Sequence, residues 1–189
     1  MAYVINNNCL RLSIFLLALL VGCSPSLENE TSTSDSNWDT YLGDSARTHY
    51  SPLIQITREN VDQLELAWRY DSGEVREGGS TMYTSPLIVD GVLYGLSPKL
   101  IAFALNAATG EEIWRFDPGG NGAPQRGLMW WEDANERRLI YASGRELIAL
   151  DAASGEPITS FGDNGRLDLR PSEDSGPFFT SVPGIVFED

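Results

Sequence analysis

The sequence predicts an all-β protein of the β-propeller type, on three observations. Two eleven-residue phrases, "ALNAATGEEIW" at 104–114 and "ALDAASGEPIT" at 149–159, begin 45 residues apart. Each lies in a unit of four short, β-rich apolar runs punctuated by Gly, Asn and Asp. Four-stranded units repeated at such a spacing cannot bury both faces alone, and radial stacking of sheets satisfies them.

The chain opens on a different kind of segment. Residues 1–22 carry one charge, Arg11, then the apolar run "LSIFLLALLV" and Gly22-Cys23, which is the order of a secretory signal. The run is about half the length that spans a bilayer, so it reads as an export signal and not a membrane helix. "LVGC" at 20–23 resembles the bacterial lipobox, which implies cleavage before Cys23 and its lipidation, with Ser24 implying the outer membrane; the alternative is an ordinary signal with Cys23 incidental. Cys9 leaves with the signal, so the mature chain has no internal disulfide. The segment 23–37, headed by Cys23 and continuing "SPSLENETSTSDSN", is too polar to bury surface and reads as a flexible tether reaching roughly 20 Å.

Order is expected from Trp38 onward, so that 38–189 forms the folded part. "TRENVDQL" at 57–64 has an N-cap Thr57 and a short helical pattern, and "LELAWRY" at 64–70 alternates as a strand. "TSPLIV" (84–89) and "VLYGLS" (92–97) flank Asp90-Gly91, a two-residue hairpin signal, since a type I′ turn needs positive φ at both positions. "KLIAFAL" (99–105) and "EEIWRF" (111–116) complete the first unit. The second repeats the plan with "RGLMWW" (126–131), "RLIYAS" (138–143), "ELIAL" (146–150) and "PITSF" (157–161). A third opens at "TSVPGIVFED" (180–189), echoing "TSPLIVDG". Two to three blades with bare strand edges predict a truncated gene product or a partial sequence.

The repeated phrase reads as the hairpin joining the last two strands of a unit. A strand end, Ala104-Leu105 or Ala149-Leu150, meets Asn106 or Asp151, whose side chain can accept turn amides. Gly110 and Gly155 then supply the positive φ that closes the turn. Trp114 stands ten residues after Ala104, and a large flat ring beside a small residue suits docking on the next unit; a plain core aromatic is the other reading.

Composition excludes several functions. The chain has 189 residues, 42% of them hydrophobic, and a net charge of −14 with no basic run, so nucleic acid is not an expected partner. His49 is the only histidine, which rules out a His-based triad or a His-rich zinc site. "DPGGNGAP" at 117–124 lacks the Lys-Ser/Thr of a phosphate loop, and "GDNG" at 162–165 lacks the spaced carboxylates of a calcium loop.

The pattern A-x-D-x-x-T-G-x-x-x-W resembles the tryptophan-docking motif of the pyrroloquinoline quinone (PQQ) dependent dehydrogenases, a family of eight-bladed propellers. The first copy departs by Asn106; the second keeps Asp151, has Ser154 for Thr and lacks the Trp. "WDTYLGDSARTHYSPLIQITRENVDQLELAWRY" resembles the family's opening and "SPLIVDGVLYGLSPKLIAFALNAATGEEIWRFDP" its first complete blade, and "RGLMWW" and "SFGDNGRLDL" fit as well. The resemblance runs from Trp38 to the end and is strongest to exported quinoprotein glucose and alcohol dehydrogenases.

It implies PQQ near the propeller axis with Ca²⁺, a sugar or alcohol substrate, and a quinone or cytochrome as electron acceptor, in a periplasm-facing protein. Arg126 matches an Arg that contacts PQQ, for which a guanidinium fork is suited; a solvated surface Arg is the alternative. Gln125 stands where relatives often have Cys. Thr180 and Ser181 fall where relatives offer a hydroxyl to a PQQ carboxylate, and Tyr83 falls near a position where relatives carry Glu or Gln facing the cofactor. Trp130 and Trp131 lie where relatives place residues near substrate, blade core being the other reading. The calcium ligands and catalytic carboxylate are expected beyond Asp189. The competing function is a non-catalytic outer-membrane lipoprotein with PQQ-like repeats, an assembly scaffold, which leaves "WDTYLGDSARTHYSPL", Arg126 and "FGDNGRLDL" unexplained.

Overall fold

The turn residues of 84–116 fold that stretch into one antiparallel sheet in the computed structural model, which describes residues 37–74, 80–119, 124–170, 172 and 180–187. The sheet runs β1 (Leu87–Val89), β2 (Val92–Leu96), β3 (Ala102–Asn106) and β4 (Glu112–Phe116), in sequence order. A second sheet of the same order follows: β5 (Met129–Glu132), β6 (Arg137–Ser143), β7 (Glu146–Asp151) and β8 (Arg166–Asp168). The signal and lipidation readings at 1–23 and most of the tether lie outside the described residues. No helix among the described residues is long and apolar enough to cross a membrane.

Asp90 and Gly91 both take positive φ, +49° and +78°, and close the β1–β2 hairpin in the type I′ manner. The two phrases close their turns with the same set of bonds from the Asx side chain and the glycine. Asn106 Oδ1 accepts the amides of Ala108 and Thr109 at 2.9 and 3.1 Å, and Asp151 Oδ1 accepts those of Ala153 and Ser154 at 3.1 and 2.8 Å. Gly110 and Gly155 share a φ of +74°, and each donates 2.8 Å to the carbonyl four residues back.

One apolar cluster spans both sheets, with Leu87, Leu96, Leu139 and Leu150 fully buried. The central strands β2, β3, β6 and β7 each carry a run of three or more buried residues, because each sheet is covered on a face by its neighbour. The contact between the sheets includes Trp114. Its Nε1 donates to Ala152 O at 3.0 Å, and its ring occupies the space a side chain at Gly155 would need. Trp68 repeats the arrangement one unit earlier, donating to Ala107 O at 3.0 Å and filling the space above Gly110.

Four sequence readings are corrected locally. "TRENVDQL" yields only a 3-10 turn, Val61–Gln63, too short for a helix to propagate. "LELAWRY" forms no strand among the described residues, since an extended run needs a ladder partner to become one. "PITSF" makes a single bridge, Leu150 to Pro157, because Pro157 has no amide to donate. The chain then turns out through Gly162, Asn164 and Gly165, all at positive φ, and the fourth strand forms later, at β8. Residues 180–187 likewise form no strand.

Candidate functional site

Three equivalent segments, one leading into each unit, come together side by side. Ser85, two residues before β1, donates its amide to Arg126 O at 2.8 Å, and Ser85 and Gly127 form a parallel bridge. Arg126 in turn donates its amide to Ser181 O at 3.0 Å. Parallel pairing of the entry segments follows from the repeat: each inner strand runs in the same direction as its counterpart in the next sheet. Tyr83, Arg126, Thr180 and Ser181, which lie far apart in sequence, are therefore carried on one set of adjoining strand entries.

The side chains at this place are polar and open. Arg126 is exposed, and its guanidinium has no partner among the described residues. Tyr83 is half exposed, at 53%. Thr180 and Ser181 are partly buried, with Thr180 Oγ1 donating to Val182 O at 3.2 Å. Beneath them the backbone is tied tightly. Thr84 Oγ1 reaches Leu96 O at 3.1 Å and Gln125 O at 3.2 Å, and Gln125, only 2% exposed, donates its side-chain amide to Thr180 O. One cation, the Ser181 hydroxyl and a phenol, with no acid in pairing distance of the guanidinium among the described residues, form a donor set for an anionic, oxygen-rich ligand.

Trp130 and Trp131 part company. Trp130 packs on Tyr94, ring centroids 5.7 Å apart, and borders the core, with its buried Nε1 lacking a partner among the described residues. Trp131 lies under the Arg138 guanidinium at 4.5 Å. A cleft of about 190 Å³ lies between the segment after Trp38, the start of β5 and the third entry segment, lined by Asp39, Tyr41, Arg47, Trp130 and Ile185 among others.

Three structural contacts were not legible as such in the sequence. Trp68 had a signal, since "WRY" at 68–70 parallels "WRF" at 114–116. Glu74 had none: it is buried at 6% exposure, and its Oε2 accepts from Ser97 Oγ at 2.6 Å and from the Lys99 amide at 2.9 Å, organising the β2–β3 turn. The Asp90–Arg137 ion pair, 2.8 Å between the two sheets, had none either.

The family profile described as the glucose/ethanol/alcohol dehydrogenase β-propeller domain, of the PQQ type, matches residues 38–189. The chain is 26% identical over 185 residues to quinoprotein glucose dehydrogenase A of Acinetobacter calcoaceticus, covering 81% of this chain and 23% of that protein. It is 31% identical over 148 residues to the 1-butanol dehydrogenase (cytochrome c) of Thauera butanivorans, covering 74% and 20%. Among solved structures, the quinohemoprotein alcohol dehydrogenase of Comamonas testosteroni superposes with a TM-score of 0.66 at 27% identity, over 80% of this chain and 22% of that one. The chain spans about a fifth of the length of the curated relatives it matches.

Proposed function

The chain belongs to the PQQ-type glucose/ethanol/alcohol dehydrogenase β-propeller family, and from that premise we propose that it is the N-terminal part of a quinoprotein dehydrogenase. The enzyme oxidises a sugar or an alcohol and passes the electrons to a quinone or a cytochrome. It works on the periplasmic side, anchored to the outer membrane by a lipid on Cys23.

The observation that carries this reading is the Arg126 guanidinium, exposed and without an acid partner among the described residues, on a backbone bonded to Ser85 on one side and Ser181 on the other. When bound, PQQ supplies the acceptor for the electron pair and hydrogen taken from the substrate's carbinol carbon. Its acidic groups match the donors present. Arg126 would hold an anionic edge of the group, the Ser181 hydroxyl would serve a second carboxylate beside Thr180, whose own hydroxyl donates to Val182 O, and Tyr83 would border the same place. No three His, Cys, Asp or Glu side chains gather as a metal site among the described residues. The Ca²⁺ ligands and the base that takes the substrate proton are proposed to be supplied elsewhere in the complete enzyme.

The complete gene product, loaded with PQQ and Ca²⁺, is expected to reduce an artificial dye with an aldose or a primary alcohol as donor. Absence of activity across both substrate classes, together with no binding of PQQ, overturns the reading in favour of the lipoprotein scaffold. Intact mass of the membrane fraction tests the anchor, a diacylglycerol adduct on Cys23 being the expected result.

A further inference from the structure

Gln125 is a polar residue in a place where an apolar one would be ordinary. It is 2% exposed, separated from the buried Gly127-Leu128 pair only by the exposed Arg126, and burying an amide is unfavourable unless its groups are bonded. The bonds it makes join three units. Its carbonyl accepts Thr84 Oγ1 of the first at 3.2 Å, it sits in the second, and its side-chain amide donates to Thr180 O of the third. The next residue is Arg126, whose backbone is bonded to Ser85 and Ser181 of the same two neighbours.

We propose that Gln125 is the positioning residue of the site: its side-chain amide holds the Thr180–Ser181 backbone against the segment carrying Arg126, and so fixes the spacing between the guanidinium and the two hydroxyls. The inference rests on the proposed function for the identity of the ligand and on the geometry alone for the clamp. Length and neutrality both matter at this position. A Glu of the same shape has no hydrogen to give Thr180 O, and it would place a carboxylate one residue from the guanidinium that the ligand needs. An apolar side chain of the same length would fill the volume and leave Thr180 O without its donor. A ligand held from two units gains affinity when those units are already in register, because the ordering is done before binding.

The test uses the complete gene product with Gln125→Met, Gln125→Glu, Arg126→Ala and the Gln125→Met/Arg126→Ala double variant. In the PQQ-free protein, amide hydrogen exchange of the peptide covering Thr180–Val182 is expected to speed up by about tenfold in Gln125→Met and to stay at the wild-type rate in Arg126→Ala. In a fluorescence titration with PQQ itself, Gln125→Met is expected to raise Kd by about tenfold, as for a charged contact displaced and not removed. A residue acting through Arg126 should add nothing further in the double variant, whereas a general loss of structure would add its full effect. Wild-type exchange at Thr180–Val182 in Gln125→Met, or additive losses of PQQ affinity, overturns the proposal. If Gln125→Met fails to fold, Gln125→Glu decides by the same two readings. Failure of the wild type to bind PQQ overturns the proposed function instead, and the exchange measurement still decides whether Gln125 clamps the segment.

Discussion

The indole of Trp114 packs directly on Gly155: a Cβ built on that glycine would stand 2.5 Å from Cε3 of the ring. The two residues belong to different sheets, Trp114 to β4 and Gly155 to the turn after β7. Gly155 also has a φ of +74°, so a substitution meets backbone strain and a clash together. Gly155→Ala is expected to destabilise the fold by about 2–5 kcal/mol, the sum of a left-handed non-glycine residue and an overpacked contact. Trp114→Phe keeps a ring on the glycine and loses the donor to Ala152 O, a cost of about 1 kcal/mol. Urea midpoints of the two variants check both, and an unshifted midpoint for Gly155→Ala would mean that this contact does not hold the sheets together.

Arg126 offers the opposite profile. Its guanidinium is exposed and without a partner among the described residues, so Arg126→Ala should leave the unfolding midpoint within about 0.5 kcal/mol of wild type. Its effect should appear in PQQ affinity, with Kd raised by about tenfold to a hundredfold, and Arg126→Lys should recover part of the loss because a point charge replaces a fork. Isothermal titration beside urea unfolding separates the two effects.

The features legible in the sequence were those set by local backbone chemistry. Asp90-Gly91 announced a hairpin because few other pairs accept positive φ twice, and the pairs Asn106 with Gly110 and Asp151 with Gly155 announced their turns for the same reason. The four-strand count and the 45-residue spacing then led to stacked sheets. The features that were not legible depend on where the chain meets itself at long range. "PITSF" has the composition of a strand, yet Pro157 allows one bridge only and the excursion through Gly165 moves the pairing on to β8. "LELAWRY" alternates correctly, yet a strand is a relation to a neighbour and none pairs with it among the described residues. Gln125 looked like a departure from a familiar pattern, and only the approach of Thr180 from 55 residues away gives it work.

The Asp90–Arg137 pair joins the β1–β2 turn to the start of β6 with 2.8 Å between charges, and both side chains are about half exposed. Solvent screens such a pair, so Arg137→Ala should cost less than about 1 kcal/mol and should cost less still in high salt. Asp90→Ala should cost more than Arg137→Ala, because Asp90 sits at φ +49°, which Asp tolerates better than Ala, and also accepts Arg137 and pairs with Asn37. Asp90→Asn retains the turn and should fall between them. Thermal unfolding at low and high salt orders the three.

Tyr141 is 1% exposed, and its hydroxyl is buried without a hydrogen-bond partner among the described residues. A buried, unpaired hydroxyl weakens the folded state relative to the unfolded chain, where water satisfies it. Tyr141→Phe removes the hydroxyl and keeps the ring in place. It is expected to hold or raise stability by about 1 kcal/mol, where most core substitutions lower it. A fall of the urea midpoint would show that the hydroxyl is bonded in solution.

Tyr94 supplies a pH dependence from the same kind of burial. It is 5% exposed, packs between Trp114 and Trp130, and its phenol is pushed up to about 12, chiefly because burial disfavours the phenolate. In the unfolded chain the same group titrates near its ordinary value of 10.0. The folded state therefore keeps the proton where the unfolded state has lost it, and each rise in pH through that window favours unfolding. Stability should be level below pH 10, as far as this group is concerned, and should decline between pH 10 and about 12. Tyr141, also raised by burial, adds to the same alkaline limb. Tyr94→Phe removes the titrating hydroxyl, so the slope of the urea midpoint against pH above 10 should become shallower, with the difference between variant and wild type growing as pH rises. A parallel displacement of the two curves at every pH would instead mean that the substitution changed packing against Trp114 and Trp130 and that Tyr94 ionises in place without opening the core.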